Sequence, residues 1–235
     1  MLVAYPARMA TVDRLTRAHF PTLVAVSVGG PRDVEWQGRP LRTSIFKTPV
    51  AGPIEANRLG LEGDSQSDLS VHGGVDKAVY AYDESSTAYW RERLARPDLG
   101  PGAFGENFTF SGLPDAEVFI GDRLRIGTAC FEVSQPRQPC LKLARLFEDA
   151  SFPKQFLASL RVGYYLRVVE PGRVAAGDRV ERVARNATSL SIPELVSVWL
   201  GQGATAATLA RAVELEALAD AWRTPLRERL EAERA

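Results

Sequence analysis

Cysteine and histidine are scarce in this chain of 235 residues, which holds only two of each. Two cysteines cannot build a disulfide framework, so the composition indicates a reducing compartment. Two histidines exclude a three-histidine metal site supplied by the chain itself. Net charge is lacking too, because 29 lysines and arginines balance 29 aspartates and glutamates. Duplex nucleic-acid binders usually carry a basic excess, so the composition gives no support for that class.

Long apolar runs are also absent. No run approaches the ~20 residues that a membrane helix needs. The first residues carry Pro6, Arg8 and Asp13 where a secretory signal peptide has its apolar segment. We therefore expect a cytoplasmic protein that binds neither a membrane nor nucleic acid. Residues 1–18 are interpreted as a loose N-terminal extension.

Short strand-like runs separated by glycine and proline dominate the chain from residue 22 to about residue 183. A helix is predicted after Asp83, with Ala88, Trp90 and Leu94 facing inward, and another is predicted near Cys140. A short third helix is predicted through residues 153–160. The predicted strands are 22–28, a hairpin over 34–43 with its turn near Gly38, 53–60, 77–82, 106–110, 122–127, 129–134 and 163–169. Many strands with few helices predict a mostly β fold, a barrel-like sheet with helical insertions.

The pattern becomes helical after residue 187. Ser191 and Glu194 form a capping-box pattern ahead of apolar residues at helical spacing. Thr205 is expected to open a second helix, and Thr224-Pro225 a third, because proline is favoured at the first helical position. We predict a main domain over residues 19–186 and a small three-helix domain over 187–235. So small a unit has a marginal core, so it is expected to pack on the main domain or on a second chain.

The run "GPGAFG" (100–105) matches the glycine pattern of dinucleotide sites. That pattern requires a strand before it and a helix after it, since the pyrophosphate sits at the helix N-terminus. Here "LARPDL" precedes the run and the strand-like "ENFTF" follows it. A loop is therefore predicted, without dinucleotide binding.

Two further runs carry polar side chains in glycine-rich surroundings. In "DLSVHGGVDKAVYAY" (68–82), His72 precedes two glycines and Lys77 follows five residues later. Paired glycines let backbone amides approach a ligand, and lysine suits phosphate. A glycine-rich turn with a hydrogen-bonded histidine is the alternative that the residues alone favour. In "FGENFTF" (104–110), Asn107 and Thr109 could bind a ligand, although satisfying local backbone groups is the better interpretation.

The run "SQPRQPCLKL" (134–143) places Cys140 after a proline and at a predicted helix start. A helix N-terminus, Arg137 and Lys142 should together lower the thiol pKa below about 8.5. Papain-type catalysis would need a partner histidine, and neither histidine stands in a protease-like context. The residues alone leave open whether Cys140 is functional. Cys130 is interpreted as a packed strand residue.

Several of these runs, in this order, resemble the MOSC family, the molybdenum cofactor sulfurase C-terminal domain, and closely resemble its YiiM-like subgroup. The resemblance covers about residues 43–183, and the C-terminal helices resemble the 3-alpha domain that follows MOSC in such proteins. The matching runs are "TSIFKTPV", "GLEGD", "VHGGVDKAVYAY", "FGENFTF", "IGDRLRIG" and "SQPRQPCLKL".

The resemblance implies a MOSC-type β-barrel with peripheral helices that holds molybdenum cofactor (molybdopterin). It implies that Cys140 is catalytic and ligates molybdenum as a thiolate. It also implies that Arg137, Lys77, His72 and Asn107 lie at the cofactor.

One residue departs from the family pattern. Ser65 stands where many relatives are expected to carry a basic residue. If that residue normally holds the cofactor phosphate, Lys77 or Arg58 must compensate.

The implied activity is a molybdenum-dependent oxidoreductase that reduces N-hydroxylated compounds, such as N-hydroxylated purine bases and hydroxylamines, to amines. The alternative is a cofactor carrier or a sulfur-transfer module with a persulfide on Cys140. Two cysteines are too few for a four-cysteine iron–sulfur cluster, and the chain has no C-x-x-C pair. We therefore expect a separate electron-donor protein, a flavin or iron–sulfur reductase. A homodimer is compatible with the sequence.

Overall fold

The computed structural model describes residues 20–66, 73–185 and 188–234, so the predicted N-terminal extension and His72 lie outside the described residues. The described part of the chain begins with consecutive strands, continues with strands and helices interspersed, and ends with three consecutive helices. The strands are β1 (Thr22–Val28), β2 (Arg32–Trp36), β3 (Arg39–Thr43), β4 (Thr48–Pro49), β5 (Ile54–Asn57), β6 (Gly60–Leu61), β7 (Val79–Asp83), β8 (Phe108–Ser111), β9 (Arg123–Ile126), β10 (Ala129–Pro136), β11 (Tyr164–Glu170), β12 (Gly172–Val174) and β13 (Val180–Ala184). The helices are α1 (Glu84–Arg93), α2 (Leu141–Phe147), α3 (Phe152–Ala158), α4 (Ile192–Trp199), α5 (Ala206–Val213) and α6 (Asp220–Arg234).

A mixed sheet forms the centre of the described part of the molecule. Its strands run in the order β13-β9-β10-β11-β7-β8-β1-β4. Neighbouring strands pair antiparallel except β7 and β8, which are parallel. A parallel pair needs a crossover connection, and α1 with the loop after it provides that connection.

The predicted mixture of sheet and peripheral helices is confirmed. Main-chain hydrogen bonds also bring β1 close to the start of β13: the Val180 amide donates to Pro21 O at 2.8 Å, and the Leu23 amide donates to Asp178 O at 2.9 Å. Full closure of the sheet into a barrel stays a prediction.

Several local predictions are confirmed in detail. Strand β1 has the predicted bounds, and β2 and β3 form the predicted hairpin with Gly38 in its turn at φ 73°. The run 100–105 forms turns between α1 and β8 rather than the start of a helix. The rejection of a dinucleotide site there agrees with this geometry.

The predicted inward face of α1 is wrong at one position. Ala88 is exposed, whereas Ser86, Thr87 and Trp90 are buried. The Trp90 ring sets this face, because it packs edge-on against Phe152 at 5.0 Å between ring centroids. Residues three and four positions before Trp90 share its side of the helix, and Ala88, two positions before it, does not.

The C-terminal helices follow their predicted caps with one exception. Ser191 and Glu194 form the predicted capping box, and Thr205 caps α5. Helix α6 begins at Asp220 rather than at Pro225, which lies inside it. The buried Trp222 explains the earlier start, since it continues the face of Leu226 and packs on Trp199 at 4.7 Å between ring centroids.

The helical tail and the sheet share one continuous apolar core. Leu195 and Leu209 of the tail belong to the same buried cluster as Val133 of the sheet. Division of the chain into domains at residues 186 and 187 stays a prediction. None of the helices in the described ranges has both the length and the apolar character required to cross a bilayer.

Candidate functional site

An open cleft lies at one end of the sheet, where segments far apart in sequence meet. It encloses about 640 Å³ of empty space out to its mouth. The lining residues are Thr43, Ser44, Ile45, Lys47, Asp64, Ser65, Gln66, Lys77, Ala78, Tyr80, Gly105, Asn107, Arg137, Gln138, Cys140, Lys142 and Tyr165.

The structure brings most of the predicted site residues together. Cys140, Arg137, Lys77 and Asn107 all line the cleft. Their positions agree with the prediction of one shared site, and their roles stay predictions. His72 lies outside the described residues, so its place at the cleft stays a prediction as well.

The cleft wall is strongly cationic. Four basic side chains line it within the described ranges, against the single carboxylate of Asp64. With all four basic side chains protonated and the Cys140 thiol neutral, the wall carries a net charge of +3. Such a wall favours an anionic ligand, because partly buried charges are screened little by salt. The basic residues are Lys47, Lys77, Arg137 and Lys142.

Asp64 is the polar junction of the cleft. Its carboxylate forms a buried ion pair with Lys47 Nζ, and it accepts from the Gly29 amide at 2.8 Å and from Asn107 Nδ2 at 2.9 Å. Burial lowers the pKa of the Lys47 ammonium, and the Asp64 carboxylate opposes this shift. The junction therefore ties the segment before β4 to the ends of β1 and β8.

Asn107 serves the framework through both ends of its amide. Its Oδ1 accepts from the Tyr80 amide at 3.0 Å, and its Nδ2 donates to Ser27 O at 3.1 Å in addition to Asp64. An amide side chain has four hydrogen-bonding positions, so these three bonds use most of them. Asn107 thus fixes β7, β1 and Asp64 in place. Direct contact of Asn107 with a cofactor stays a prediction.

Arg137 follows β10 and is buried in the cleft wall, with 5% of its surface exposed. Its Nη1 donates to Phe104 O at 2.5 Å, and its guanidinium lies 4.5 Å from the centroid of the Tyr80 ring. Burial works against the charge, but Tyr80, Tyr165 and Cys140 outweigh that effect and raise the pKa of Arg137. The guanidinium therefore remains charged and held in one orientation.

Lys77 reaches the cleft from a short 3₁₀ turn, Val75–Lys77, that precedes β7. Gln66 brackets this turn: its Nε2 donates to Lys77 O at 3.1 Å and its Oε1 accepts from the Gly74 amide at 3.0 Å. Burial lowers the pKa of the Lys77 ammonium, while Asp76 and Cys140 act in the opposite direction. The lysine is thus placed close enough to Cys140 for their charges to interact.

Cys140 immediately precedes α2, which confirms the predicted helix start. Its backbone is extended, with φ −133° and ψ −179°, and its side chain is half-buried at the cleft. Cys130 differs sharply, because it is 2% exposed within β10 and belongs to the sheet. This burial confirms Cys130 as a packed strand residue.

Sequence reasoning did not single out Lys47, Asp64, Tyr80 or Tyr165, although the first two stand in the runs "TSIFKTPV" and "GLEGD". The available signal for Lys47 was that it is the one charged residue of its run. Tyr80 and Tyr165 pack at 5.3 Å between ring centroids and form an aromatic part of the wall.

Ser65, where a basic residue was expected, presents a hydroxyl to the cleft. Its Oγ lies 2.8 Å from Ser44 Oγ and donates to Gly29 O at 3.1 Å. Arg58 is exposed and does not line the cleft, whereas Lys77 does. Of the two cations suggested as compensation, Lys77 is therefore the one suitably placed, and Lys47 and Lys142 add to it.

Comparison with known proteins identifies the class. The family model of the MOSC domain matches residues 68–181. The chain is also 36% identical over 202 residues to "Uncharacterized protein YflK" of Bacillus subtilis (strain 168), which covers 86% of this chain and 91% of YflK. The chain belongs to the MOSC-domain family. The predicted resemblance is confirmed.

Two further relatives refine this placement. The crystal structure of YiiM from Geobacillus stearothermophilus has a TM-score of 0.76 and 34% identity, covering 89% of this chain and 99% of YiiM. The fold is therefore YiiM-like. A Gibberella moniliformis (strain M3125 / FGSC 7600) protein named "Reductase" is 31% identical over 181 residues, which is 76% of this chain but 32% of the reductase. The chain thus corresponds to about a third of that larger protein.

The MOSC domain is associated with molybdenum cofactor, and the side chains of the cleft fit such a group. The pterin part carries a phosphate, which suits lysine, arginine and hydroxyl donors. Molybdenum favours a soft anionic sulfur, which Cys140 can provide. In the described ranges no cluster of three or more histidine, cysteine, aspartate or glutamate side chains is arranged to hold a metal ion.

Proposed function

We propose that this protein is an oxidoreductase that binds molybdenum cofactor in the cleft and reduces N-hydroxylated compounds to amines. The observation that carries the proposal is the meeting of Cys140 with Lys47, Lys77, Arg137 and Lys142 at one cleft. N-hydroxylated purine bases and hydroxylamines are the proposed substrates. The overall reaction takes two electrons and two protons, breaks the N–O bond, and releases an amine and water.

The residues of the cleft have separate tasks in this proposal. Cys140 Sγ binds the metal, and Arg137 offers a fixed guanidinium to an anionic part of the cofactor. Lys77 and Lys142 balance the remaining negative charge, because Lys47 is already paired with Asp64. When bound, the cofactor supplies two-electron redox chemistry, and the protein supplies the ligand, the orientation and the enclosed surroundings.

The aromatic wall offers a surface for a planar substrate. Tyr165 lines the cleft as a half-buried side chain, with the buried Tyr80 packed against it, and aromatic faces stack on heterocyclic bases. A purine ring could therefore lie against this wall while its N-hydroxyl group points toward Cys140. The fungal protein named "Reductase" supports a redox role over a carrier role.

Electrons must come from another molecule. Each turnover consumes two electrons, and the chain has two cysteines, of which Cys130 is packed within β10. We propose a separate flavin or iron–sulfur donor protein. The matching segment makes up 32% of the fungal "Reductase", which leaves room in that protein for further redox domains. A cytoplasmic location remains part of the proposal.

The decisive variant is Cys140→Ser. Serine is nearly isosteric with cysteine but is a poor, normally protonated ligand for this metal. We expect the variant, expressed in a host that makes the cofactor, to lose reduction of 6-N-hydroxylaminopurine measured with a chemical reductant. Molybdenum per chain should fall in parallel. NADH without a donor protein should not support turnover by the wild-type protein.

The matched control is Cys130→Ser, which removes the other thiol at a buried sheet position. It should keep its molybdenum and its turnover, with only a modest loss of stability. Near-wild-type turnover by molybdenum-loaded Cys140→Ser would contradict the assignment of Cys140. Wild-type protein that retains molybdenum but reduces no N-hydroxylated compound would favour the carrier or sulfur-transfer alternative.

A further inference from the structure

Arg167 of β11 connects three parts of the molecule with one guanidinium. Its Nε donates to Asp76 Oδ1 at 2.5 Å, and its Nη1 donates to Glu132 Oε1 at 3.0 Å and to Ala217 O at 2.8 Å. Asp76 precedes Lys77 in the 3₁₀ turn, Glu132 lies in β10, and Ala217 lies between α5 and α6. Arg167 therefore links the helical tail to the turn that carries Lys77 through hydrogen bonds from a single guanidinium.

A second set of bonds, from Ser134 of β10, follows the same route. Its Oγ donates to Asp76 O at 2.6 Å and lies 3.0 Å from Tyr165 O. Its carbonyl oxygen accepts from the Ala219 amide at 3.0 Å. Ser134 thus contacts the turn with its side chain and the tail with its main chain. Two independent residues make the same connection.

The tail approaches the sheet closely at this point. Gly121, at φ 84°, leaves so little space that an added Cβ would lie 3.1 Å from Ala217 Cβ. The segment 214–219 therefore packs directly against Gly121 and against Ser134 of the sheet. Gln66 fastens the opposite side of the turn through Gly74 and Lys77. The turn is therefore held by Gln66 as well as by Arg167 and Ser134.

We propose that Arg167 is a positioning residue for the cleft, which uses the seated C-terminal segment at Ala217 to hold Asp76 and thereby Lys77 in place. Arg167 does not line the cleft, so it acts through Lys77 rather than by touching a ligand. Charge-assisted and forked bonds from arginine fix geometry better than a lysine could. The tail is then part of the binding site's support.

The consequence for ligand binding rests on the proposed function, since Lys77 is assigned there to the anionic cofactor. The mechanical link itself does not depend on that function. Groups that orient the residues contacting a metal or cofactor commonly change affinity by about 10–100-fold when removed. We expect Arg167→Met to retain about tenfold less molybdenum per chain after dialysis than the wild type.

The test combines cofactor retention with amide hydrogen exchange on protein prepared without cofactor. In Arg167→Met, exchange should become several-fold faster both in peptides covering residues 73–80 and in peptides covering 214–220. In Asp76→Ala, which removes the acceptor of Arg167 Nε but leaves Arg167 bonded to Glu132 and Ala217, only the first region should change. The matched control is Arg125→Met, which breaks the exposed Arg125–Glu170 pair on the same sheet and should change neither region.

Unchanged exchange at residues 73–80 in both Arg167→Met and Asp76→Ala would overturn the proposal. If Arg167→Met does not fold, Asp76→Ala decides alone, with faster exchange at 73–80 in support and wild-type exchange against. If wild-type protein never retains molybdenum, the proposed function fails while the exchange measurements still decide the positioning role. Wild-type retention in Arg167→Met despite faster exchange would overturn the claim that Lys77 placement controls ligand binding.

Discussion

The cleft and the C-terminal helices are stabilised in opposite ways. The cleft depends on buried charges and single polar bonds, such as the Lys47–Asp64 ion pair and the amide of Asn107. The helices α4, α5 and α6 depend on capped ends and an apolar face that includes Trp222. A polar junction fails when one partner is lost, because the other is left buried and unpaired. An apolar face loses stability in smaller, graded steps.

Removing the Asp64 carboxylate should produce the largest effect. Asp64→Ala leaves the Lys47 ammonium and the Asn107 amide without their shared partner, and breaking a buried pair typically costs about 3–5 kcal/mol. We expect a loss of this size in the free energy of unfolding from urea titration. The matched control is Asp33→Ala, whose ion pair with Arg42 has side chains 72% and 58% exposed. That control should change stability by less than about 0.5 kcal/mol.

Equal, small losses in both aspartate variants would erase the contrast between the regions. They would mean that the cleft tolerates Lys47 without its partner, for example because the Lys47 ammonium loses its proton. Burial already lowers the pKa of Lys47, so this outcome has a physical route.

Asp115, a buried carboxyl outside the cleft, should make the free energy of unfolding depend on pH. Burial raises the pKa of Asp115 to about 6, and its Oδ2 accepts from the Gly163 amide at 2.8 Å. The unfolded value is about 3.9. Between about pH 4 and pH 6, the Asp115 carboxyl is therefore protonated in the folded protein but ionised in the unfolded chain. The stability that this proton confers is complete below about pH 4 and is lost as the pH rises through about 6.

The test variant is Asp115→Asn, which keeps the shape and an acceptor for the Gly163 amide but cannot titrate. The wild-type free energy of unfolding, relative to that of the variant, should fall by about 2–3 kcal/mol between pH 4 and pH 7. Urea titrations at four pH values across this range measure the difference. Parallel curves for the two proteins would show that Asp115 titrates at the same pH in both states.

The sequence predicted the helical tail better than the cleft because the signals of the tail are local. Ser191 and Thr205 mark the starts of α4 and α5 by contacts with residues three positions later. The start of α6 was missed because it depends on Trp222 packing against Trp199, which no local pattern records.

The residues alone grouped members of the cleft only within one run, and the family resemblance added Lys77 and Asn107 from two other runs. Arg137, Cys140 and Lys142 stand within six residues of each other, so the thiol and two of its cations were found together. Lys47 and Asp64 are separated by 17 positions and meet only through the fold. The residues alone left the role of Cys140 open. The family resemblance added the prediction that Cys140 ligates molybdenum.

The smallest effect is expected at the helix cap, where Ser191→Ala removes one side chain from the capping box of α4. Ser191 Oγ accepts from the Glu194 amide at 3.4 Å, while the Ser191 amide donates to Glu194 Oε2 at 2.8 Å. Losing such a cap costs about 1 kcal/mol, and the apolar face of α4 stays intact. The control is Ser197→Ala within the same helix, which should be neutral or slightly stabilising because alanine favours helix interiors. A Ser191→Ala loss in the range expected for Asp64→Ala, measured by urea unfolding, would contradict the graded behaviour assigned to the tail.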